Sequence, residues 1–299
     1  MGSADEVDIL TLFHNSRDRV GPYLDCLARI PRSIRFTVHL LDNGSTDGTA
    51  DLLGQRIGSL GFPVRFHRSA RNHGFAGGMN LLFRQAESDF LFVLNSDAHP
   101  EADCLERLIE RMTLDPHIGI CEARQVPDEH PKMVDSTTGE TTWCSGAAAL
   151  IRREAFEEVG GFDDRLFFMY CEDIDLGWKM WLRGWKCVYV SDALVEHRVG
   201  GARSQSEGAS SRRLREHYFS FRNSLFIYHR FRRPGESRLL WNFLLKRFAS
   251  RRYSFRSKAL FAIAFVDHIR YIPYLLRTRS AWGDRGHPWI RLEETSLAD

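Results

Sequence analysis

The segment Phe167–Trp178 contains three carboxylates within a stretch of four residues, at Glu172, Asp173 and Asp175. Apolar residues then recur at helical steps of four, three and four, at Ile174, Trp178, Trp181 and Trp185. Glu172 and Asp173 therefore belong to the first turn of a helix, where acids commonly complement the positive end of the helix dipole. A carboxylate at a helix mouth beside aromatic neighbours is also suited to act as a general base. The acids alone leave both interpretations open.

Polar side chains that could share a site with these acids follow the predicted strands. Strands are expected at 7–13, 36–41, 63–67, 89–94 and 118–122, with helices between them. This alternation predicts a doubly wound α/β sheet, in which ligands bind at the carboxyl ends of the strands. Asn15, Asp42, Asn72 and Asp97 each follow a strand end, so we expect them to meet at one site.

Two of these turns carry groups that suit a charged ligand. The glycine-rich turn Arg71–Asn80 opens a helix, where backbone N–H groups can hold a phosphate, although close helix packing would use its glycines equally well. It matches neither G-x-G-x-x-G nor a P-loop. Asn95-Ser96-Asp97 supplies oxygens of the kind that Mg²⁺ or Mn²⁺ binds, and His197, after a later strand, could add a nitrogen. Each signal alone is also typical of a structural turn or histidine.

After residue 123 the alternation stops. Residues 124–142 are polar and loop-like, and further strands are expected at 143–151 and 186–191. Helical patterns follow from Leu214 onward, with amphipathic segments at about 238–249 and 256–277.

Charge divides the chain into two regions. Residues 211–279 hold 17 Lys and Arg against 3 Asp and Glu, whereas the first 210 residues hold 22 against 32. Basic residues beside apolar helix faces favour docking on an anionic membrane surface over nucleic-acid binding. Packing of these faces on the rest of the chain or on a second subunit is an equal alternative. The apolar residues concerned are Leu239, Leu240, Trp241, Phe243, Leu244 and Leu245.

Cysteine usage and the N-terminal sequence bear on location. The six cysteines show no C-x-x-C spacing, which is typical of a reduced cytoplasmic protein without a disulfide framework or zinc site. The first ten residues lack a basic signal-peptide start, and no apolar run reaches about 18 residues. We therefore expect a cytoplasmic protein, or one peripheral to the inner face of the plasma membrane.

Six motifs, in chain order, resemble the inverting family 2 glycosyltransferases of GT-A fold, especially the bacterial rhamnosyltransferase-like branch. They are Asp42–Thr49, Asn72–Asn80, Leu94–Asp97, Cys144–Gly146, Glu172–Leu176 and His197. The resemblance spans about residues 7–230 and is specific for the family but much less so for the substrate. It implies a mostly parallel sheet flanked by helices in a catalytic domain at 1–210, with a nucleotide-sugar half at about 7–123 and an acceptor half at about 124–210. A helical, basic region at 211–299 would follow.

The resemblance implies that the first half binds the donor. Asp42 would contact the base of a nucleotide sugar, with Asn15 and Arg17 nearby. Asn72 and Gly74 would line the diphosphate pocket, and Asn95 and Ser96 would lie beside it.

By the same resemblance, Asp97 and His197 would hold Mn²⁺ or Mg²⁺ on the diphosphate. Asn95 stands where the family's D-x-D element has its first aspartate, which removes one carboxylate. Asp173 would be the catalytic base, beside Glu172. The sugar and acceptor would be bordered by Trp143, Cys144, Ser145 and Gly146.

Helix geometry separates the two adjacent acids. Glu172 and Asp173 differ by about 100° around the helix, so they face different points. Asp173 lies one turn before Gly177, where we expect no side chain to block an approaching acceptor. Asp173 is therefore the predicted general base, and acceptor hydrogen bonding or first-turn charge the predicted role of Glu172.

These inferences predict a metal-dependent enzyme that moves rhamnose or a similar hexose from a dTDP- or UDP-sugar to a bacterial glycan or lipid-linked acceptor. A homodimer and an anionic membrane are further candidate partners, and nucleic acid is not expected. Two alternatives stay open. A nucleotidyltransferase would normally need a glycine- and basic-rich loop after the first strand, which residues 14–17 do not supply. A non-catalytic glycan- or nucleotide-binding scaffold would not need Asp97, Glu172 and Asp173 together.

Overall fold

The computed structural model describes residues 6–197, 209–233, 235–279, 281–282 and 286–292. Eight strands form one sheet in the order β3-β2-β1-β4-β7-β6-β8-β5. The four strands at one end run parallel, β7 is antiparallel to its neighbours, and β6 pairs in parallel with β8. The strands are β1 (Glu6–Phe13), β2 (Arg35–Asn43), β3 (Val64–Ser69), β4 (Phe90–Leu94), β5 (Ala98–Pro100), β6 (Ile118–Pro127), β7 (Ala148–Arg152) and β8 (Lys186–His197).

Helices cover both faces of this sheet, because side chains on successive strand residues point to opposite faces. In β4, Phe90, Phe92 and Leu94 join one hydrophobic core, whereas Leu91 and Val93 join the other. The helices are α1 (Val20–Leu27), α2 (Thr49–Arg56), α3 (Gly74–Phe83), α4 (Cys104–Leu114), α5 (Arg153–Glu158), α6 (Glu172–Arg183), α7 (Ala209–Phe231), α8 (Ser237–Ala249), α9 (Phe255–Ile269) and α10 (Ile272–Arg279). The predicted α/β class with a mostly parallel sheet and a C-terminal helical extension is confirmed.

Four predicted elements differ from those observed. The strands expected at 118–122 and 186–191 extend to Pro127 and His197, so residues 124–127, expected to be loop, pair in the sheet. The strand expected at 143–151 begins only at Ala148, because residues 143–145 supply backbone groups to side chains from other segments. The helix expected at 256–277 is divided into α9 and α10, which are bent by 59°. Pro273 explains the break, since its ring has no N–H and excludes the carbonyl four residues earlier.

The C-terminal helices pack against the α/β body through α7. Its Phe226 and Phe231 meet Phe167 and Trp178 of the body edge-on, with ring centroids 6.0 and 5.2 Å apart. On its other side, Phe221 stacks at 4.7 Å on Phe261 of α9. Within the described residues, no single helix is long and apolar enough to cross a membrane, and α9 with α10 reaches that length and composition only as the bent pair.

Candidate active site

The loops after β1 and β2 are joined by Asn15, which adopts a left-handed backbone conformation with φ of 48°. Its N–H donates to Ser45 Oγ at 3.0 Å, and its Oδ1 accepts the N–H of Thr46 at 2.8 Å. The backbone of Arg17 donates to Asp47 in the same way, at 3.1 Å. The structure therefore places Asn15 and Arg17 as supports of the loop after Asp42.

Asp42 is buried at the end of β2. Its Oδ2 accepts the N–H of Ser45 at 3.3 Å, but its Oδ1 receives no hydrogen bond from the described residues. Because buried acceptors are normally satisfied, this oxygen needs a donor that the described residues do not supply. The N–H group of a nucleobase has that chemistry.

The glycine-rich turn is held between two parts of the site. Asn72 Oδ1 accepts the N–H of Gly74 at 2.7 Å, and Gly74 has a φ of +72°. A Cβ added at Gly74 would collide with the carbonyl of Phe168, which itself accepts the N–H of Phe75 at 2.7 Å. Gly74 is therefore needed for close packing, because only a residue without a side chain lets this turn approach the segment before α6.

Asp97 and His197 come together where β5 pairs with β8. His197 Nε2 lies 3.6 Å from Asp97 Oδ1, and Gln125 Oε1 orients the ring through Nδ1 at 2.8 Å. Arg19 Nη1 contacts Asp97 Oδ2 at 2.8 Å. Burial opposes ionisation of Asp97, but His197 and Arg19 outweigh it, and its pKa lies below the usual value.

A divalent cation fits this pair only with help from a ligand. Oxygen and imidazole donors 3.6 Å apart can reach one ion, since ligands about 2.1 Å from a metal lie roughly 3–4 Å from each other. No group of three or more acidic, histidine or cysteine side chains suited to a metal occurs among the described residues. The remaining positions would have to be filled by diphosphate oxygens and water.

The approach to α6 is strained and firmly held. Tyr170 and Cys171 have positive φ values of 69° and 67°, an uncommon conformation for residues other than glycine. Asn223 of α7 is fully buried, and its Nδ2 donates to the carbonyls of Met169 and Tyr170 at 2.8 Å each. These bonds fix the turn that aims the first residues of α6, beginning with Glu172.

Glu172 and Asp173 are carboxylates without a salt bridge to any described residue. Glu172 is buried, and its Oε2 receives no hydrogen bond from the described part of the chain. Burial, followed by the neighbouring Asp173 charge, raises the pKa of Glu172 well above its usual value. Asp173 accepts the N–H of Ile174 through Oδ1 at 2.9 Å, and burial raises its pKa to about 6. A carboxylate tuned close to neutral pH is suited to accept a proton.

A buried ion pair lies beside these acids. Lys132 contacts Glu122 of β6, and its Nζ also donates to the carbonyl of Trp143 at 2.9 Å. Glu122 Oε2 accepts the N–H of Ser145 at 2.5 Å. The charges of Lys132 and Glu122 act on Asp173, the first lowering and the second raising its pKa. The pair therefore joins the loop after β6 to residues 143–145, and its charges act on the first turn of α6.

Asp175, on another side of α6, lies between two cations. Its Oδ1 accepts a hydrogen bond from Arg230 Nη1 of α7 at 2.5 Å, and Lys179 Nζ lies 3.2 Å from Oδ2. Arg230 also bonds Asp163 at 2.5 Å. Tyr274 of α10 donates to the same Asp163 at 3.1 Å. This network connects α6, α7 and α10.

Comparison with known proteins places this geometry in a family. The model described as "Glycosyl transferase family 2" matches residues 8–160, and "Glycosyl transferase family group 2" matches residues 90–296. The chain belongs to glycosyl transferase family 2. The resemblance inferred from the motifs is thereby confirmed, and the protein is a glycosyltransferase.

Among similar sequences is an N-acetylglucosaminyl-diphospho-decaprenol L-rhamnosyltransferase of Mycobacterium tuberculosis. It is 29% identical over 59% of this glycosyltransferase and 72% of its own length. Glucomannan 4-beta-mannosyltransferase 2 of Arabidopsis thaliana is 27% identical over 56% of this chain, but the match spans only 36% of the plant protein.

Solved structures share the fold. The mannosyltransferase from Pyrobaculum calidifontis, in complex with GDP-Man and Mn²⁺, has a TM-score of 0.58 and 19% identity. The match spans 92% of this glycosyltransferase and 73% of the Pyrobaculum chain. GalNAc-T7 with UDP, GalNAc and Mn²⁺ has a TM-score of 0.62 at 15% identity, over 91% of this chain and 58% of its own.

The segment 143–146 of the glycosyltransferase contributes backbone more than side chains. Cys144 is buried, and its thiol donates to the carbonyl of Val188 at 3.5 Å. A Cβ at Gly146 would lie 2.9 Å from the ring of Phe75. The expectation that Gly177 leaves room for an acceptor is wrong, because a Cβ there would lie 3.0 Å from Cα of Trp143. Gly177 serves this packing.

Sequence reasoning missed four side chains of the site. Three of them have no signal in the neighbouring sequence that points to a site. They are Arg19 before α1, Gln125 in β6 and Lys132 in the loop after β6. Glu122 carried one signal that could have found it. It ends the apolar run 118–122 within β6, where a buried carboxylate needs a partner.

Proposed function

We propose that this glycosyltransferase inverts configuration as it transfers rhamnose or a similar hexose from a dTDP- or UDP-sugar. The acceptor is a hydroxyl group of a bacterial cell-surface glycan or a lipid-linked saccharide. The observation that carries the proposal is Asp173, a half-buried carboxylate with a pKa of about 6 and no salt bridge to a described residue. The named activity of the mycobacterial relative supports the sugar and the lipid-linked acceptor.

Donor binding is assigned to the loops after β1, β2 and β3. The unused Oδ1 of Asp42 accepts from the N–H of a uracil or thymine base. The loop braced by Asn15 and Arg17 surrounds the base and ribose, and the Asn72–Gly74 turn lines the diphosphate. This part of the proposal is supported by one buried acceptor that lacks a partner in the described chain.

Transfer requires a base on the opposite side of the sugar from the leaving diphosphate. Asp173 takes the proton of the acceptor hydroxyl as its oxygen attacks the anomeric carbon, and the nucleoside diphosphate leaves in the same displacement. Glu172, whose pKa burial raises well above its usual value, hydrogen-bonds the acceptor. One displacement inverts the anomeric configuration.

Asp97 and His197 would hold Mn²⁺ or Mg²⁺ together with diphosphate oxygens. When bound, the ion would neutralise charge on the leaving group. Crystallised neighbours of this fold with Mn²⁺ support a divalent cation here. His197 and Arg19 together lower the pKa of Asp97, which favours the ionised carboxylate that a cation needs.

The test is nucleotide release from dTDP-rhamnose, UDP-glucose, UDP-N-acetylglucosamine and GDP-mannose, with and without a lipid-linked saccharide. We expect acceptor-dependent release from one dTDP- or UDP-sugar and a product of inverted anomeric configuration by NMR. A product of retained configuration contradicts the mechanism.

A second measurement concerns the metal. Asp97→Ala should abolish the Mn²⁺-dependent thermal shift produced by the nucleotide, whereas Asp89→Ala on the surface should leave it intact. Undiminished activity in EDTA would rule out the metal.

A further inference from the structure

Exposed apolar side chains are concentrated in one region of the molecule. Nine large apolar residues are exposed among the described residues, and eight of them lie on α8, α9 and α10. The exception is Leu114, at the end of α4. Scattered exposed residues need no explanation, but a cluster of this kind marks a surface that another body covers.

On α9 these residues form one stripe. At about 100° per residue, Phe255, Ile263, Val266 and Ile269 fall within an arc of about 120°. Their exposures are 87, 57, 61 and 48%, whereas Phe261, Ala264 and His268 on the opposite side are buried. The inner face of α9 is therefore buried against the rest of the protein, whereas its outer face is apolar and exposed.

A second stripe lies on the outer side of α8. Trp241, Leu245 and Phe248 recur at helical steps of four and three, with exposures of 64, 64 and 39%. Phe243 and Leu244 of the same helix are buried. The apolar residues of α8 are therefore of two kinds: Phe243 and Leu244 pack on the protein, whereas Trp241, Leu245 and Phe248 face outward.

Cations border both stripes. On the helical projection, Arg256 and Lys258 fall on either side of the α9 stripe, and Arg238 falls beside the α8 stripe. Arg251 lies in the loop that connects the two helices. None of these four forms an ion pair with another residue that the structure describes. Residues 237–279 contain ten Lys and Arg against one acid, Asp267.

We propose that the outer faces of α8 and α9 dock on an anionic lipid surface. An apolar stripe bordered by Lys and Arg is the pattern of a helix that lies in a membrane interface, with its apolar side in the acyl boundary and its cations at the headgroups. A second copy of the chain is a poorer occupant, because a symmetric contact would bring two basic surfaces together. This inference rests on the helices alone and does not depend on the sugar or acceptor proposed above.

Co-sedimentation of the full chain with phosphatidylcholine vesicles, with and without phosphatidylglycerol, tests the proposal without any sugar substrate. We expect binding only with phosphatidylglycerol, falling as salt is raised. The apolar variant Phe255→Ser/Ile263→Ser/Val266→Ser should weaken it by about tenfold or more. The control, Leu114→Ser, changes an equally exposed residue on the body and should bind like the parent.

A charge variant tests the second half of the pattern. Arg251→Glu/Arg256→Glu should also weaken binding by about tenfold or more, whereas Arg32→Glu/Arg84→Glu, exposed on the body, should change it little. The substituted side chains are solvent-exposed, so thermal melting should confirm that every variant folds. Failure of the full chain to bind anionic vesicles at low salt overturns the proposal. So does binding that the apolar variant leaves unchanged, or self-association that this variant abolishes.

Discussion

Asp173 and Asp175 are two residues apart on α6, yet they lie in opposite electrostatic surroundings. Asp175 faces the C-terminal helices. There the cations of Arg230 and Lys179 outweigh the effect of burial, and the pKa of Asp175 lies below its usual value. Asp173 lies on another side of the helix and pairs with no described cation, and burial raises its pKa to about 6.

Two acids within a single helical turn are therefore suited to different roles, one structural and one chemical. A paired, ionised carboxylate is fixed in one charge state and joins two parts of the fold. A carboxylate with a pKa near 6 exchanges its proton at physiological pH, which is what a general base requires. Glu172 follows the pattern of Asp173, since no described cation pairs with it.

The strongest test of this comparison is Asp173→Asn, which keeps the shape and removes the basicity. Because a general base typically contributes about 10²–10⁴-fold, we expect kcat to fall by that amount with nearly unchanged donor affinity. Steady-state kinetics measures both, with Asp89→Asn as a surface control. A variant that keeps most of its kcat, while Glu172→Gln loses it, would reverse the assignment.

The matching change on the paired side is Asp175→Asn. It leaves the buried Arg230 charge partly unpaired, so we expect the free energy of unfolding to fall by about 3–5 kcal/mol. Denaturant titration measures this loss. The control is Asp51→Asn, which breaks an exposed ion pair with Arg68 whose N–O distance is also 2.5 Å. It should lower the free energy of unfolding by less than about 1 kcal/mol. Equal losses from the two variants would show that Asp175 does not join the helices.

The pH dependence of kcat/KM sharpens the contrast. Since Asp173 must be ionised to accept a proton and its pKa is about 6, activity should rise with pH to a plateau above pH about 7. At pH 5 it should be about tenfold lower. This acidic limb should disappear in Asp173→Asn, and a limb that persists there would belong to another group.

Asn223→Ala tests whether α7 positions the unpaired acids. The change removes both hydrogen bonds that hold the carbonyls of Met169 and Tyr170, so we expect a loss of about 1–3 kcal/mol of stability. The informative result is a kcat reduced more than the nucleotide KM is changed, because Glu172 and Asp173 follow this turn. Tyr228→Phe removes a hydrogen bond from α7 to Leu292 instead and should affect stability alone.

The smallest effect is expected from Glu172→Gln. Folding raises the pKa of Glu172, so its ionised form costs stability as pH rises. The variant should therefore melt at the same or a slightly higher temperature than the parent, with the gain growing towards alkaline pH. Its acceptor KM should change by no more than about tenfold. A large drop in melting temperature would place a stabilising partner at Glu172.

The expected strands in the first 123 residues were recovered because their signals are local. The apolar run of β4 is entirely buried, and short polar turns mark where the strands end. Asp42 and Asp97 could therefore be located at one edge of the sheet before any contact was known. The acidic first turn of α6 was equally legible, since apolar periodicity and acid placement depend only on neighbouring residues.

Pairing between distant segments could not be derived in this way. Lys132 meets Glu122 across the loop that follows β6, and Arg230 reaches Asp175 from α7. A charged side chain in the sequence looks the same whether it is paired or solvated, because its energy depends on groups brought near it by folding.

Local sequence patterns were enough to assign the fold class, the strand ends that carry polar side chains, and the three acids that open α6. That Asp175 is paired while Glu172 and Asp173 are not depends on contacts between distant segments. The same holds for the packing of Gly177 on Trp143 and for the faces of α8 and α9 that remain exposed. The reason is physical. Periodicity specifies the direction of each side chain from its own element, but the charge, volume or solvent that it meets there is set by the packing of the whole chain.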